Sequence, residues 1–206
     1  MTAPGRVFLL SPAHCGGERA ALLFREGAGF DLARRVRRAP GAPLGEVFSF
    51  LSGLYFRGKL AYAEAFASPP AGLAGVYVIT PTEGLCRHDE LVDLARLRGF
   101  ARVDIDARDV RYHRPLARDA RRLAAALGPA GEAVLLGSVA TGKYVDPLTE
   151  ALGDRLRFPR DFVGRGDMSR GGLLLRCVRA GRELAYVPVA GAARRGSRPA
   201  RIERRP

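Results

Sequence analysis

The sequence predicts a three-layer, doubly wound α/β domain with a mostly parallel sheet. Four short runs are rich in apolar residues, and three of them are closed by glycine, serine or proline, which is typical of buried strands. The segments between them carry apolar residues at the three- and four-residue spacing of amphipathic helices. Because strands and helices alternate, the strands are expected to run parallel. The four predicted strands are residues 6–10, 75–80, 101–105 and 133–136.

The chain between the first two predicted strands is expected to be mostly helical. Three stretches there have apolar residues on one helical face, and prolines end the second and the third. A further stretch, residues 45–54, is compatible with either a strand or a helix. The predicted helices span residues 18–24, 30–38 and 55–67.

The second half of the chain is predicted to continue the alternation and then to change character. A polar, glycine-rich loop over residues 159–172 precedes two apolar stretches, 173–178 and 183–189, which indicate a C-terminal β-hairpin. The arginine-rich residues 191–206 are predicted to be a disordered basic tail, which leaves a single domain over residues 1–190. Further helices are predicted over residues 89–98, 115–127 and from about 141, with a short strand over 155–158.

The formal net charge of +13 favours a polyanionic partner, either a nucleic acid (DNA or RNA) or a phosphorylated nucleotide. Only Lys59 and Lys143 are lysines, so an arginine-rich bias in composition explains the charge equally well. No apolar run approaches the length of a membrane span and no signal peptide is visible, so no membrane partner is expected. Three irregularly spaced cysteines indicate a reducing, cytoplasmic setting.

The stretch around Gly137 and Lys143 predicts an anion site, because a buried strand ends there, a small-residue loop follows, and a helix begins. Its spacing nearly matches the phosphate-binding P-loop, but Tyr144 stands where that loop needs serine or threonine for Mg²⁺. A looser phosphate site is therefore favoured over a nucleoside triphosphatase. A glycine-rich turn with an exposed lysine remains an equal alternative. The predicted phosphate-binding residues are Ser138, Thr141, Gly142 and Lys143.

Polar residues follow the predicted strands, at the sheet edge where α/β proteins bind their ligands. Glu83 is the predicted general acid or base, because it is a carboxylate in a glycine turn at a strand end. In the glycine-rich loop, Arg165 and Arg170 are predicted to clamp phosphate together with Ser169. The other residues predicted to lie in the cleft are Ser11, His14, Cys15 and Gly84.

Two cysteines and two histidines near the predicted strand ends are of the types that bind zinc. Their spacing matches no standard metal pattern, and adjacent His14 and Cys15 seldom point at one another as a nucleophile and base must. No metal and no cofactor is therefore predicted. The four residues are His14, Cys15, Cys86 and His88.

Three stretches resemble the YaaA-like group of proteins. Residues 8–13 (FLLSPA) resemble the opening strand and turn of the YaaA peroxide-stress proteins. Residues 54–59 (LYFRGK) and then 78–85 (VITPTEGL) resemble the paired motifs of the wider group, which includes domains found with deazaguanine modification of DNA and tRNA. The resemblance covers residues 7–85.

The resemblance implies a fold like that of uracil-DNA glycosylases and a link to nucleic acid or its modified bases. Thr82 and Glu83 replace the Ala-Lys-type residues usual in that position, so no catalytic residue is carried over from the family. The candidates that lie in matching motifs are Ser11, Tyr55, Glu83 and Gly84.

Three functional hypotheses remain open at this level. The first is an enzyme that binds nucleic acid or a nucleotide and acts on a base or an N-glycosidic linkage, with Glu83 as acid or base and Tyr55 stacking on the base or hydrogen-bonding to it. The second is a non-catalytic nucleic-acid-binding protein that uses its basic tail. The third is an enzyme acting on a small phosphorylated molecule at the loop of residues 137–143.

Overall fold

A six-stranded, mostly parallel sheet forms the centre of the computed structural model, which describes residues 5–140 and 142–192. This confirms the predicted α/β class. The strands are β1 (Arg6–Leu10), β2 (Ala42–Pro43), β3 (Val76–Thr80), β4 (Gly84–Arg87), β5 (Leu91–Val92), β6 (Glu132–Leu136), β7 (Leu156–Pro159) and β8 (Tyr186–Pro188). The helices are α1 (Glu18–Phe24), α2 (Asp31–Val36), α3 (Leu44–Ser52), α4 (Leu54–Phe66), α5 (Leu94–Ala101), α6 (Val110–Leu127), α7 (Gly142–Leu152) and α8 (Asp167–Arg179).

The sheet has the strand order β4-β3-β1-β6-β7-β8, with antiparallel strands at its two edges. β1 is parallel to β3 on one side and to β6 on the other, with Leu10 opposite Val78 and Leu136. The chain first builds outward from β1 to β3 and later returns to add β6 on the opposite side. The point where the winding direction reverses, between the carboxyl ends of β1 and β6, is where open α/β sheets bind ligands.

Helices cover both faces of the sheet. Right-handed crossovers in opposite directions put α4, which joins β1 to β3, and α6, which joins β3 to β6, on opposite faces. α8 packs along α4, and α7 packs along α6 and β7. The central strands β1 and β6 are therefore buried on both sides, which explains their nearly continuous apolar sequences.

Two glycines allow α4 and α8 to approach backbone to backbone. A Cβ atom on Gly58 would lie 2.8 Å from the carbonyl oxygen of Gly171, and one on Gly171 would lie 2.9 Å from the Cα atom of Tyr55. Real Cβ contacts are not this short, so both positions require glycine at this helix separation. The crossing covers the first half of α4, where Tyr55 and Lys59 are located.

Two predicted strands are wrong. Residues 101–105 form no strand: α5 runs to Ala101, and Val103 is buried while Asp104 is exposed. Residues 173–178 belong to α8, because their apolar residues also fit a helical face, and so the predicted hairpin of 173–178 with 183–189 does not form. β8 instead pairs antiparallel with β7, with Phe158 opposite Val187.

Other boundaries differ from those predicted. The ambiguous residues 45–54 are almost entirely helical, in α3 and the start of α4. α6 begins at Val110, five residues before the predicted start, because the side chain of Asp109 accepts a hydrogen bond from the Arg111 backbone and caps the helix. Nearly all of the predicted tail, residues 193–206, lies outside the described residues. Within residues 5–140 and 142–192, no helix combines the length and apolar character needed to cross a bilayer.

Candidate active site

A cavity of about 380 Å³ opens at the carboxyl ends of β1 and β6, where the winding of the sheet reverses. Its size is within the range of small-molecule sites. The segment after β1, the start of α4, the loop after α5, the loop after β6 and the first turns of α7 and α8 all contribute to its wall. The polar side chains that line it are Ser11, His14, Ser52, Tyr55, Lys59, Asp104, Ser138, Lys143, Tyr144 and Asp167.

Lys59 is the most unusual of these residues, since it is a lysine with only 1% of its surface exposed. Its Nζ donates hydrogen bonds to the backbone oxygen of Ser11 at 2.6 Å and to Ser11 Oγ at 2.9 Å. The rings of Tyr55 and Phe56 lie 4.6 and 4.7 Å from the same nitrogen. No carboxylate among the described residues forms an ion pair with it. The amine is thus fixed in an apolar setting at the cavity wall.

This environment changes the proton affinity of the amine. Burial lowers the pKa of Lys59 to about 7 because the charged form loses its hydration. The charge of Asp167 opposes this effect from a distance, and that of Arg170 adds to it. A lysine that is about half uncharged at neutral pH can act as a nucleophile or a base, whereas an ordinary surface lysine is almost fully protonated there.

The lowered pKa predicts a specific dependence of stability on pH. Below pH 7 Lys59 is protonated in the folded and the unfolded chain, and the cost of burying its charge is fully present. Between about 7 and 10.5 only the unfolded chain holds the proton, so the contribution of this residue to stability becomes more favourable as the pH rises. From pH 7 to about pH 9 the gain is about 2–3 kcal/mol.

Chemical denaturation of the wild type and of Lys59→Met at several pH values tests this prediction. The other titrating groups contribute equally to both proteins, so the difference between the two unfolding free energies isolates Lys59. The unfolding free energy of the wild type minus that of Lys59→Met should increase as the pH rises above 7. A difference that stays constant with pH would show that Lys59 titrates normally.

The hydroxyl groups around Lys59 complete this part of the wall. Tyr55 is 6% exposed, and its hydroxyl makes no hydrogen bond of normal geometry among the described residues. Burial raises the pKa of Tyr144, while contacts of its phenol with the Ser138 backbone and the Ser11 side chain oppose the rise. Gly137 permits this packing, since a Cβ there would lie 2.8 Å from Ser11 Cβ. The phenols are therefore neutral hydrogen-bonding groups.

The predicted phosphate loop also contributes to the cavity wall. The strand–loop–helix arrangement is confirmed, with β6 ending at Leu136 and α7 starting at Gly142. Ser138 and Lys143 both line the cavity, and Lys143 is exposed. The carboxylate of Asp146 lies against Gly142 at the start of the helix, so the loop's positive character comes chiefly from Lys143. Thr141 lies outside the described residues.

Five of the predicted site residues are brought together in this cavity. Cys15, by contrast, is 4% exposed, and burial raises the pKa of its thiol to about 12, so it is not an activated nucleophile. The five residues that meet are Ser11, His14, Tyr55, Ser138 and Lys143.

The predicted arginine clamp does not line the cavity. Arg165 donates to the Asp161 carbonyl at 2.9 Å and to Ser169 Oγ at 3.4 Å. Arg170 donates to the Phe162 carbonyl at 3.0 Å and stacks over the Phe162 ring. These side chains connect the first turn of α8 to the segment before it. The predicted loop of residues 159–172 is therefore partly helical and not a mobile clamp. Asp167, from the same turn, does reach the cavity.

Glu83 and Gly84 lie in the turn between β3 and β4 and not at the cavity. The Glu83 carboxylate accepts hydrogen bonds from Arg96, with Oε2 2.8 Å from Nε. Gly84 has a φ of 77°, and a Cβ there would meet Asp119 and the Pro115 carbonyl of α6. β4 turns back antiparallel, so this strand end is closed by its own hairpin. The turn lies outside the cavity wall, so Glu83 is not part of the candidate site.

We therefore expect Glu83→Gln to affect stability and not turnover. The pair with Arg96 is partly solvated, with 36% and 22% of the two side chains exposed, so its loss should cost about 1 kcal/mol. Urea denaturation measures the first effect, and an activity assay the second. A large loss of activity in a fully folded variant would show that Glu83 takes part in the reaction.

The histidines and cysteines considered for zinc do not form one group. His88 faces Glu64, with its Nδ1 3.4 Å from the carboxylate, while His14 lies at the cavity. Ligand atoms of Glu83, Cys86 and Glu90 do lie within 4.8 Å of one another. The guanidinium of Arg96 contacts all three, so an internal cation already neutralises that cluster.

The sequence interpretation missed Lys59 as a site residue. The signal was present, since Lys59 shares a helical face with Tyr55, Tyr62 and Ala63, all of which are buried. A charged residue on an apolar face of a predicted helix must be buried or paired. Tyr144, which also lines the cavity, was likewise not proposed as a site residue.

Comparisons of the chain with protein-family models, curated proteins and solved structures found no match.

Proposed function

We propose that the chain is an enzyme that binds a nucleotide, free or within a nucleic acid, and cleaves its N-glycosidic bond. The observation that carries the proposal is the buried amine of Lys59, which lies in the wall of a cavity at the reversal point of a doubly wound sheet. Burying a lysine without an ion pair is unfavourable to folding, so its retention there supports a role in chemistry.

The cavity has the features that a nucleotide requires. Ser138 and Lys143 provide a hydroxyl and a positive charge for phosphate. Tyr55, in the same wall, provides an aromatic ring and a hydroxyl without a regular partner, which suits a base or sugar. The net charge of +13 favours anionic ligands of this kind.

Cleavage of an N-glycosidic bond develops positive charge on the sugar and negative charge on the departing base. Asp104 and Asp167 are the two carboxylates in the described part of the cavity wall, and they would stabilise the positive sugar. His14, exposed at the same wall, would supply a proton to the base. The site thus contains groups for both halves of the reaction.

The resemblance to the YaaA-like group is part of this proposal. The stretches 8–13 and 54–59, which carry it, meet in the cavity through the hydrogen bonds from Lys59 to Ser11. The third stretch, residues 78–85, ends in the β3–β4 turn away from the cavity.

Measuring the free base released from a panel of nucleoside monophosphates and single-stranded oligonucleotides tests the function. We expect Asp104→Asn to lower the rate about 100-fold, since it removes a charge that stabilises the transition state. Asp154→Asn, which removes an exposed carboxylate from the segment after α7, is the matched control and should be neutral. Release of no base from any member of the panel would refute the proposal.

A further inference from the structure

We propose that Lys59 is the nucleophile of this site and that it forms an imine with C1′ of the sugar, which makes aldehyde sugar phosphates a second ligand class. This inference rests on the proposed function but is tested apart from it. It assigns a covalent role to the chain's one lysine that is buried within the described residues.

The hydrogen bonds of Lys59 leave its nitrogen free to attack. A neutral amine has two N–H groups and one lone pair. The two N–H groups are used by the backbone oxygen and the Oγ of Ser11, at 2.6 and 2.9 Å. With both N–H groups used in this way, the lone pair is left for a ligand in the cavity that Lys59 lines.

The surroundings also keep the nitrogen uncharged, as nucleophilic attack requires. The rings of Tyr55 and Phe56 pack against it, and only 1% of the surface of Lys59 is exposed. Burial lowers the pKa of the amine to about 7, so about half is unprotonated at neutral pH. Lys143, in contrast, is exposed.

The reaction balances without an external oxidant or reductant. The lone pair of Lys59 forms a bond to C1′, and the C1′–N bond breaks with its electron pair leaving on the base, which takes a proton from His14. The ammonium formed on Lys59 passes one proton to O4′, and the electron pair this frees on nitrogen opens the C1′–O4′ bond, which gives the protonated imine and a hydroxyl at C4′. Water then adds to C1′ and releases the amine and the sugar aldehyde.

Reductive trapping with 2-deoxyribose 5-phosphate and sodium cyanoborohydride tests imine formation directly. The chain has only two lysines and one terminal amine, so mass spectrometry of its peptides locates the adduct without ambiguity. We expect one sugar phosphate per chain, on the peptide that contains Lys59, with the Lys143 peptide labelled at least tenfold more slowly. Competition by excess inorganic phosphate should slow the labelling.

Variants and a second assay separate the possible outcomes. Lys59→Met should abolish the adduct, and Lys143→Met should still place it on Lys59 but form it more slowly, because phosphate binding is weakened; the wild-type peptide map decides the question if Lys59→Met fails to fold. Labelling of Lys143 or of the terminus in preference to Lys59 would overturn the inference. So would base release by the wild type with no adduct, although the proposed function would then stand. An adduct on Lys59 without base release from any nucleotide would instead refute the function and support an imine-forming site.

Discussion

Replacing Lys59 with methionine is expected to lower kcat/KM for base release by about a thousandfold or more, because the nucleophile is lost. Methionine has a similar length and suits the apolar setting of α4, where Tyr55 and Phe56 surround the amine. The fold should therefore survive. Single-turnover kinetics of base release, with circular dichroism as the check on folding, measure the effect.

Lys143→Met is the matched control for this substitution, since it removes the chain's other lysine, which is exposed and lines the same cavity. It should raise KM about tenfold through lost phosphate binding and change kcat little. Wild-type turnover by a folded Lys59→Met protein would contradict the assignment of the nucleophile.

Gly171→Ala is expected to destabilise the protein by about 3 kcal/mol, because the added methyl group has no room. Its Cβ would lie 2.9 Å from Tyr55 Cα and 3.0 Å from the Leu54 carbonyl oxygen, and backbone atoms cannot rotate away. α4 and α8 must separate instead, which also loosens the packing over Lys59. Urea denaturation measures the loss.

The next residue in the same helix gives the control. A Cβ on Gly172 has only the end of the Arg176 side chain nearby, at 3.7 Å. Gly172→Ala should therefore stabilise the protein by about 0.5–1 kcal/mol, since alanine favours the helix. Equal effects of the two substitutions would show that the helices do not cross as closely as described.

The class of the fold could be predicted because it depends on local patterns. The strands around Leu9, Val78 and Leu135 are apolar runs bounded by turn residues, and all three are confirmed. Residues 173–178 of α8 were predicted as a strand because a short apolar run fits both the repeat of a strand and the repeat of a helix. What decides between them is the packing of Gly171 on α4, which joins residues more than a hundred positions apart.

The site could be predicted only in part. The sheet edge was identified correctly, so Ser11, Ser138 and Lys143 were placed where they lie. Glu83 was misplaced because its strand end is closed by the antiparallel return of β4, which no local pattern indicates. The role of Lys59 depends on burial and on a contact with Ser11 across 48 residues, and both are properties of the tertiary structure.

The cavity between β1 and β6 is proposed to bind a nucleotide, with Ser138 and Lys143 holding its phosphate. Calorimetric titration of nucleoside 5′-monophosphates into the wild type, Lys143→Ser and Arg121→Gln tests it most directly. Arg121 is an exposed arginine of α6 outside the cavity wall, so it controls for the general effect of charge. We predict one ligand per chain, bound about tenfold more weakly by Lys143→Ser and unchanged by Arg121→Gln. Absence of binding, or equal weakening by both substitutions, would contradict the account.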